Sequence, residues 1–441
     1  MLRLALASVR RGPVMFVGQF ITVALAAALI ATNGEALAAA LTAPHAQAQD
    51  MGGAITVLAM GGVVAAFVTI TGLLSSTGLT VALRRRDLAL LRLIGSSSSQ
   101  TRRMILFETL ALAFVAALVG TALGALLAAP AVALINDIDL APVALTATVQ
   151  ALPLFIAWAA AVILSVLGAI LAAGRAAGIA PAEALRAADV DGHVMSPGRW
   201  IPGTLTGLGG VAMIVLASVN ELEAATPLTI FGAIALAIGA AAWAPVFLPL
   251  LARLVLAPLQ AAPSVGPRIA AASVITGRRR TAALAAPVLA AITIIGTLSA
   301  VLHQANAATG ASAQQVTLNN TVLLVLTGPA LLYVLIASAS AQLMTYTSRR
   351  TELRSMRLLG IRRTTITLGS VIESITAALL GVIAGLAITL VSLLAYRTAL
   401  ARTLGHATLT LPWGALGAIC ASCLTVLVVA GAAAARRQAR V

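Results

Sequence analysis

Ten apolar runs, near residues 13–33, 55–80, 105–131, 150–173, 202–219, 228–252, 281–302, 320–346, 368–396 and 412–435, limit the folds open to this chain more than any other feature. A helix of about 20 residues crosses a hydrocarbon core of about 30 Å, and each run is near or above that length. With 60% hydrophobic and 9% charged residues, the chain could not present a polar surface to water on every side. The expected fold class is all-α, a polytopic membrane protein with ten transmembrane helices. Several runs exceed the length needed, which predicts tilt or helical extension past the bilayer.

Charge sets the expected orientation. All 28 cationic side chains are arginine, and a cytoplasmic amino terminus places 26 of them on inner segments, leaving Arg397 and Arg402 outside. The outer segments then carry Glu35, Asp50, Asp137, Asp139, Glu221 and Glu223 and are net −4, against +19 on the inner side. Both termini are expected inside. The arginines are dispersed among loops between spans, which argues against nucleic acid binding and for contact with membrane lipid at the inner surface. Residues 1–12 read as an amphipathic surface helix with Arg3, Arg10 and Arg11 on its polar side. A cleaved signal peptide is the rival reading, but the apolar run is longer than a usual signal core.

A second constraint is repetition. Residues 84–124 recur 265 positions later without a gap, so that Arg92 falls on Arg357, Gly95 on Gly360, Glu108 on Glu373 and Gly120 on Gly385. This reads as a duplication: residues 1–186 form one four-helix unit, 187–265 a linker and an inserted helix pair, and 266–441 the second unit. The inserted pair returns the chain to the inner side, so the repeats are expected to be parallel and related by an approximate two-fold axis along the membrane normal.

The residues around each repeat carry a family resemblance. The fourth span leads into a basic segment ending in Pro181, Ala182, Glu183, Ala184, Leu185 and Arg186. This resembles the end of an FtsX-like permease domain of the kind also found in MacB-type ABC transporters. The arginine-rich stretch with Leu91, Arg92, Leu93, Ile94 and Gly95 resembles the segment between the second and third helices of that family, and residues 271–281 resemble its lead-in. The second half departs from the pattern because it ends without the Pro-Ala-Glu-Ala-Leu-Arg tail. The loop 304–319 is short where some ten-helix relatives in peptide export have a large outer domain.

The resemblance implies a transport subunit rather than an enzyme. A phosphate-binding loop of the Walker type needs a lysine, and the chain has none. ATP and Mg are therefore expected in a separate ABC ATP-binding subunit, two copies for two halves. The expected ATPase-coupling surface comprises Arg92, Gly95, Ser96, Gln100, Arg102 and Arg103 with Arg357, Gly360, Arg362 and Arg363. The polar run 96–103 reads as a turn followed by a short surface helix. Glu108 and Glu373, about one turn inside their spans, are intramembrane acids and functional candidates by default. Anchoring by the helix dipole and a nearby arginine is the structural alternative.

No catalytic residue and no metal site is expected. Cys420 and Cys423 lie on one face of the tenth span and suit close helix packing better than ligation. His45, His303 and His406 sit in unrelated outer segments without a second ligand at fixed spacing. The expected function is that of the permease of an ATP-driven exporter moving a peptide, lipid or drug outward from a bacterial plasma membrane. Three alternatives stand beside it: a secondary transporter, a permease that signals to a cell-wall hydrolase, and an antimicrobial-peptide sensor paired with a two-component sensor kinase.

Overall fold

The computed structural model describes residues 13–43, 51–177, 197–260, 277–348, 363–405 and 408–439, with isolated positions at 268, 271, 272, 274, 275 and 358. The amphipathic stretch 1–12, the tail motif 181–186, His45, His193 and His406 lie outside the described residues. Regular structure among the described residues is helical. In chain order the helices are α1 (Pro13–Leu41), α2 (Gly52–Leu83), α3 (Arg85–Leu93), α4 (Ser98–Asp137), α5 (Ala151–Ala177), α6 (Pro197–Val219), α7 (Leu222–Val255), α8 (Ala257–Gln260), α9 (Arg278–Thr309), α10 (Ala313–Ser348), α11 (Arg363–Leu404) and α12 (Trp413–Ala439). Ten of these, all but α3 and α8, are long and apolar enough to cross a membrane. A helix satisfies its own backbone donors and acceptors, which is the condition for lying in hydrocarbon.

The helices run past the apolar runs. α4 has 40 residues and α11 has 42; at 1.5 Å per residue each is about 60 Å long, twice the hydrocarbon thickness. α1 continues to Leu41 through the alanine-rich stretch that reads in sequence as an outer loop beginning at Asn33. Alanine is the best helix former, so the helix persists where hydropathy falls. These extensions pack on one another: Ala36, Ala39 and Ala40 of α1 meet Leu58 of α2 and Val132 and Ile135 of α4 in an apolar cluster with Met51 and Leu145.

Packing between helices follows small residues, as expected where lipid tails remove the usual hydrophobic drive between apolar helices. A Cβ on Gly120 of α4 would run into the Ala24 carbonyl and the Ala27 side chain of α1. A Cβ on Gly385 of α11 would come 3.0 Å from the Leu289 carbonyl and 2.9 Å from the Ile292 Cβ of α9. Those four α1 and α9 positions, 24 with 27 and 289 with 292, stand in the same 265-residue register as the glycines themselves. In both crossings the contacts advance together along the two helices, so α1 runs parallel to α4 and α9 to α11.

The pairings recur as well. α1 packs on α2, α4 and α5, with α5 also against α2 and α4; α9 packs on α10, α11 and α12, with α12 also against α10 and α11. The two groups meet through α1 with α10, α2 with α9, and α2 with α10. The α2–α10 pair is parallel, since Gly61 lies by Leu326, Gly72 by Tyr333, and Thr80 by Met344. The α6–α7 pair joins only one group in force, lying against α9 and α11. Its own crossing is antiparallel and glycine-lined, with Gly203, Gly207 and Gly210 facing Ala242, Gly239 and Leu236.

Adding a methyl group at these crossings forces the helices apart. Gly120→Ala and Gly385→Ala should each lower the thermal unfolding midpoint of the purified protein, by an amount corresponding to about 1–3 kcal/mol. Gly417→Ala, where a Cβ meets nothing within 4 Å, should leave the midpoint unchanged or raise it slightly.

Candidate functional site

The arginine-rich end of the first helix group is built around α3. Asp87 in its first turn and Arg92 in its last match the helix dipole. Leu88 and Ala89 are buried, and Leu88 packs with Val81, Met104, Ile105, Ala169 and Ala172 from α2, α4 and α5. The short surface helix thus precedes Gly95. The sequence reading put it after the glycine, within 96–103, and the structure corrects that order.

Two local motifs produce the turn. Gly95 adopts φ 103, and the amides of Gly95 and Ser96 donate to the carbonyls of Arg92 and Leu91 at 3.2 and 3.1 Å, which forms a Schellman stop to α3. A side chain at Gly95 would be strained in that conformation. Ser97 then starts α4 through a capping box: the Gln100 amide donates to Ser97 Oγ at 3.1 Å, and the Ser97 amide donates to Gln100 Oε1 at 3.0 Å. Gln100, read from sequence as a coupling residue, uses its side-chain oxygen in the cap.

The outward side of this turn is apolar and cationic together. Leu90, Leu93 and Ile94 are exposed before the turn, Ile94 at 81%, and Arg102 and Arg103 are exposed after it, near the start of α4. Arg92 and Ser96 are half-buried. In the second group, Leu358, which stands at the Leu93 register, is 86% exposed. Arg357, Gly360 and Arg362 lie outside the described residues, and Arg363 opens α11.

Behind the turn lies a buried ion pair. Arg84, at the junction of α2 and α3, donates from Nη1 to Glu108 Oε2 and from Nη2 to Oε1 at 3.4 Å, with the two side chains 13% and 3% exposed. The Arg84 guanidinium also stands 5.3 Å from the centre of the buried Phe16 ring on α1, a cation–π distance. One side chain therefore ties α1, α2 and α4 together directly beneath α3. Glu373 is likewise buried, on α11. The sequence names Glu108 and its need for an arginine, but six nearby arginines, between residues 84 and 103, compete for that role. Only the fold, in which α2 and α4 both pack on α1 and α5, selects Arg84.

Glu35 is a further buried carboxylate, read from sequence as an outer-loop acid. It lies on α1 at 2% exposure and accepts from the Gln150 amide at 3.0 Å, immediately before α5. Cys423 is buried among Val288, Ile292, Ala378 and Val382, on the inward side of α12, and Cys420 is half-buried. Among the described residues, no group of three metal-ligating side chains converges.

Removing one member of the buried pair strands the other. Glu108→Ala or Arg84→Ala should destabilise the protein by about 3–5 kcal/mol, whereas Arg84→Met combined with Glu108→Leu should cost less than either single change. Thermal unfolding of the purified variants checks the order.

A comparison with curated proteins returned no match to the chain. Residues 59–181 match the family model described as FtsX-like permease C-terminal. The matched segment begins within α2 and takes in α3, the capped turn, α4 and α5, so it contains the ion pair and the surface described above. Over those residues the chain is similar to the FtsX-like permease C-terminal family.

Proposed function

We propose that the chain is the permease subunit of an ATP-driven ABC exporter, with ATP and Mg held by a separate ATP-binding subunit. The observation that carries this reading is the FtsX-like match over a segment whose exposed turn combines Leu93 and Ile94 with Arg102 and Arg103. Apolar side chains exposed beside cations, at the end of a membrane bundle, suit a protein partner better than water. Closure of that partner pushes on α3, and the Arg84–Glu108 pair passes the push to α1, α2 and α4 as one body.

Duplication supports two copies of the partner. The two helix groups share five pairings and a 265-residue register at their glycine crossings, so we read them as two permease repeats related by an approximate two-fold axis at the α2–α10 contact. Both termini lie in the cytoplasm of a bacterium in this reading, and the arginine-rich ends face inward. The cargo is amphipathic or membrane-embedded, a peptide, lipid or drug, and leaves outward.

Expression from the native operon, followed by purification in lipid, tests the reading. An ATP-binding protein should accompany the chain at two copies per permease and hydrolyse ATP. Leu93→Asp combined with Leu358→Asp should weaken that association about tenfold or more while leaving the fold intact, because both positions are exposed. A chain that purifies alone and binds no ATPase would end the exporter reading and direct attention to ion-coupled transport.

A further inference from the structure

Beside the Arg84–Glu108 pair lies a pocket of about 10 Å³, close to the space one water needs. Gln19 of α1, Thr77 and Thr80 of α2, and Thr109 of α4 line it together with the ion pair. Gln19 is 2% exposed and Thr77 1%, and neither Gln19 Nε2 nor Thr77 Oγ1 has a hydrogen-bond partner in the protein. Buried polar atoms of this kind are rare in native proteins and commonly mark a bound water.

The second helix group solves the same problem with a different helix. At the 265-residue register Thr80, Glu108 and Thr109 become Thr345, Glu373 and Ser374, but Gln19 becomes Leu284 and Thr77 becomes Gln342. The carboxamide has moved from the first helix of its group to the second. Leu284 and Gln342 are each 1% exposed, and Gln342 Nε2 again has no protein partner. It reaches the turn of α11 that carries Glu373: a Cβ placed on Gly431 of α12 would touch Ser374 and lie 3.9 Å from Gln342 Nε2. An orphaned amide retained by accident has no reason to reappear near the second glutamate from another helix. An amide that completes a polar site has one, because only its reach matters.

We infer that each half of the bundle holds a water beside its buried glutamate and that one glutamine completes the site, Gln19 near Glu108 and Gln342 near Glu373. In the first half the water accepts from Gln19 Nε2 and also bonds Thr77 Oγ1, linking α1 to the α2–α4 ion pair. Gln19 and Gln342 are positioning residues in this scheme. The inference rests on the reading of the two halves as copies.

The sign of a volume-conserving substitution decides the matter. If the amides are dry orphans, replacing them with apolar side chains of similar size stabilises the protein. If they hold water, Gln342→Met and Gln19→Leu each lower the thermal unfolding midpoint of the full chain in lipid nanodiscs by several degrees. Leu284→Gln in the Gln342→Met background, which places the amide where the first half carries it, should regain at least half of that loss. Density for a water between Gln19 Nε2 and Thr77 Oγ1 in an experimental structure is the direct expected result. A midpoint that stays or rises in the single variants, a double variant no better than Gln342→Met, or a dry pocket overturns the inference. None of these measurements involves ATP or transport, so failure of the exporter reading would appear separately, in the co-purification. Failure of the copy reading would appear as halves that do not superpose at the 265-residue offset.

Discussion

Backbone-to-backbone approach at glycine is the contact on which this bundle depends. Hydrocarbon gives apolar side chains little reason to prefer one another over lipid, so helices associate where small residues let whole surfaces touch. Gly120 against Ala24 and Gly385 against Leu289 bring the first and third long helices of each group together, and Gly210 and Gly239 do the same for α6 and α7. Aromatic residues make up only 3% of the chain, and the buried side chains between the helices are mostly aliphatic or small. Such packing transmits displacement well, because backbones in contact cannot slide independently without opening voids.

The Arg84–Glu108 pair adds what glycine contacts lack, a directional link at one end. A buried pair contributes little net stability over an apolar substitute, yet breaking it is costly, so its chief effect is to fix one arrangement of the helices that supply it. Its place directly behind α3 matters for the same reason. α3 is nine residues long and could not hold its position alone. It is held by Leu88 in the groove between α4 and α5, by the Schellman turn at Gly95, and by Arg84 at its amino end. A force on Leu93 or Ile94 therefore bears first on α1, α2, α4 and α5.

How much of this was legible in the sequence depended on the range of the interaction involved. The ten long helices follow from composition over windows of about 20 residues, which is local information. Their ends were read less well, since hydropathy marks where a helix leaves hydrocarbon and not where it stops; α1 runs to Leu41 because alanine continues it. The polar run after Gly95 reads as a turn followed by a short surface helix; the Ser97–Gln100 cap does start a helix there, but it is the long α4, and the short one lies before the turn. Contacts between distant segments could not be chosen from sequence. Arg84 competes with five neighbours for Glu108, and Glu35 reads as a loop acid although α5 begins beside it. Of the expected coupling residues, Gly95 proves to set the turn and Gln100 to cap the helix, leaving Arg102 and Arg103 outermost.

The α6–α7 pair makes the two flanks of the bundle unlike, and the exposure of positions in register records the difference. Where α7 lies on α9 and α11, the buried contact surface includes Ala237 with Leu289 and Ala384. The first-group position in register with Ala384 is Val119, and the one in register with Ile388 is Leu123; both are exposed, at 41% and 42%. A helix neighbour calls for small residues so that backbones can approach, while a fluid neighbour accepts bulk. Val119 on α4 therefore suits a surface left to lipid and Ala384 on α11 a surface made for α7, while Leu123 and Ile388 are of equal size and differ in exposure alone. Lipid consequently meets one open flank, along α4, and one already covered by the chain itself.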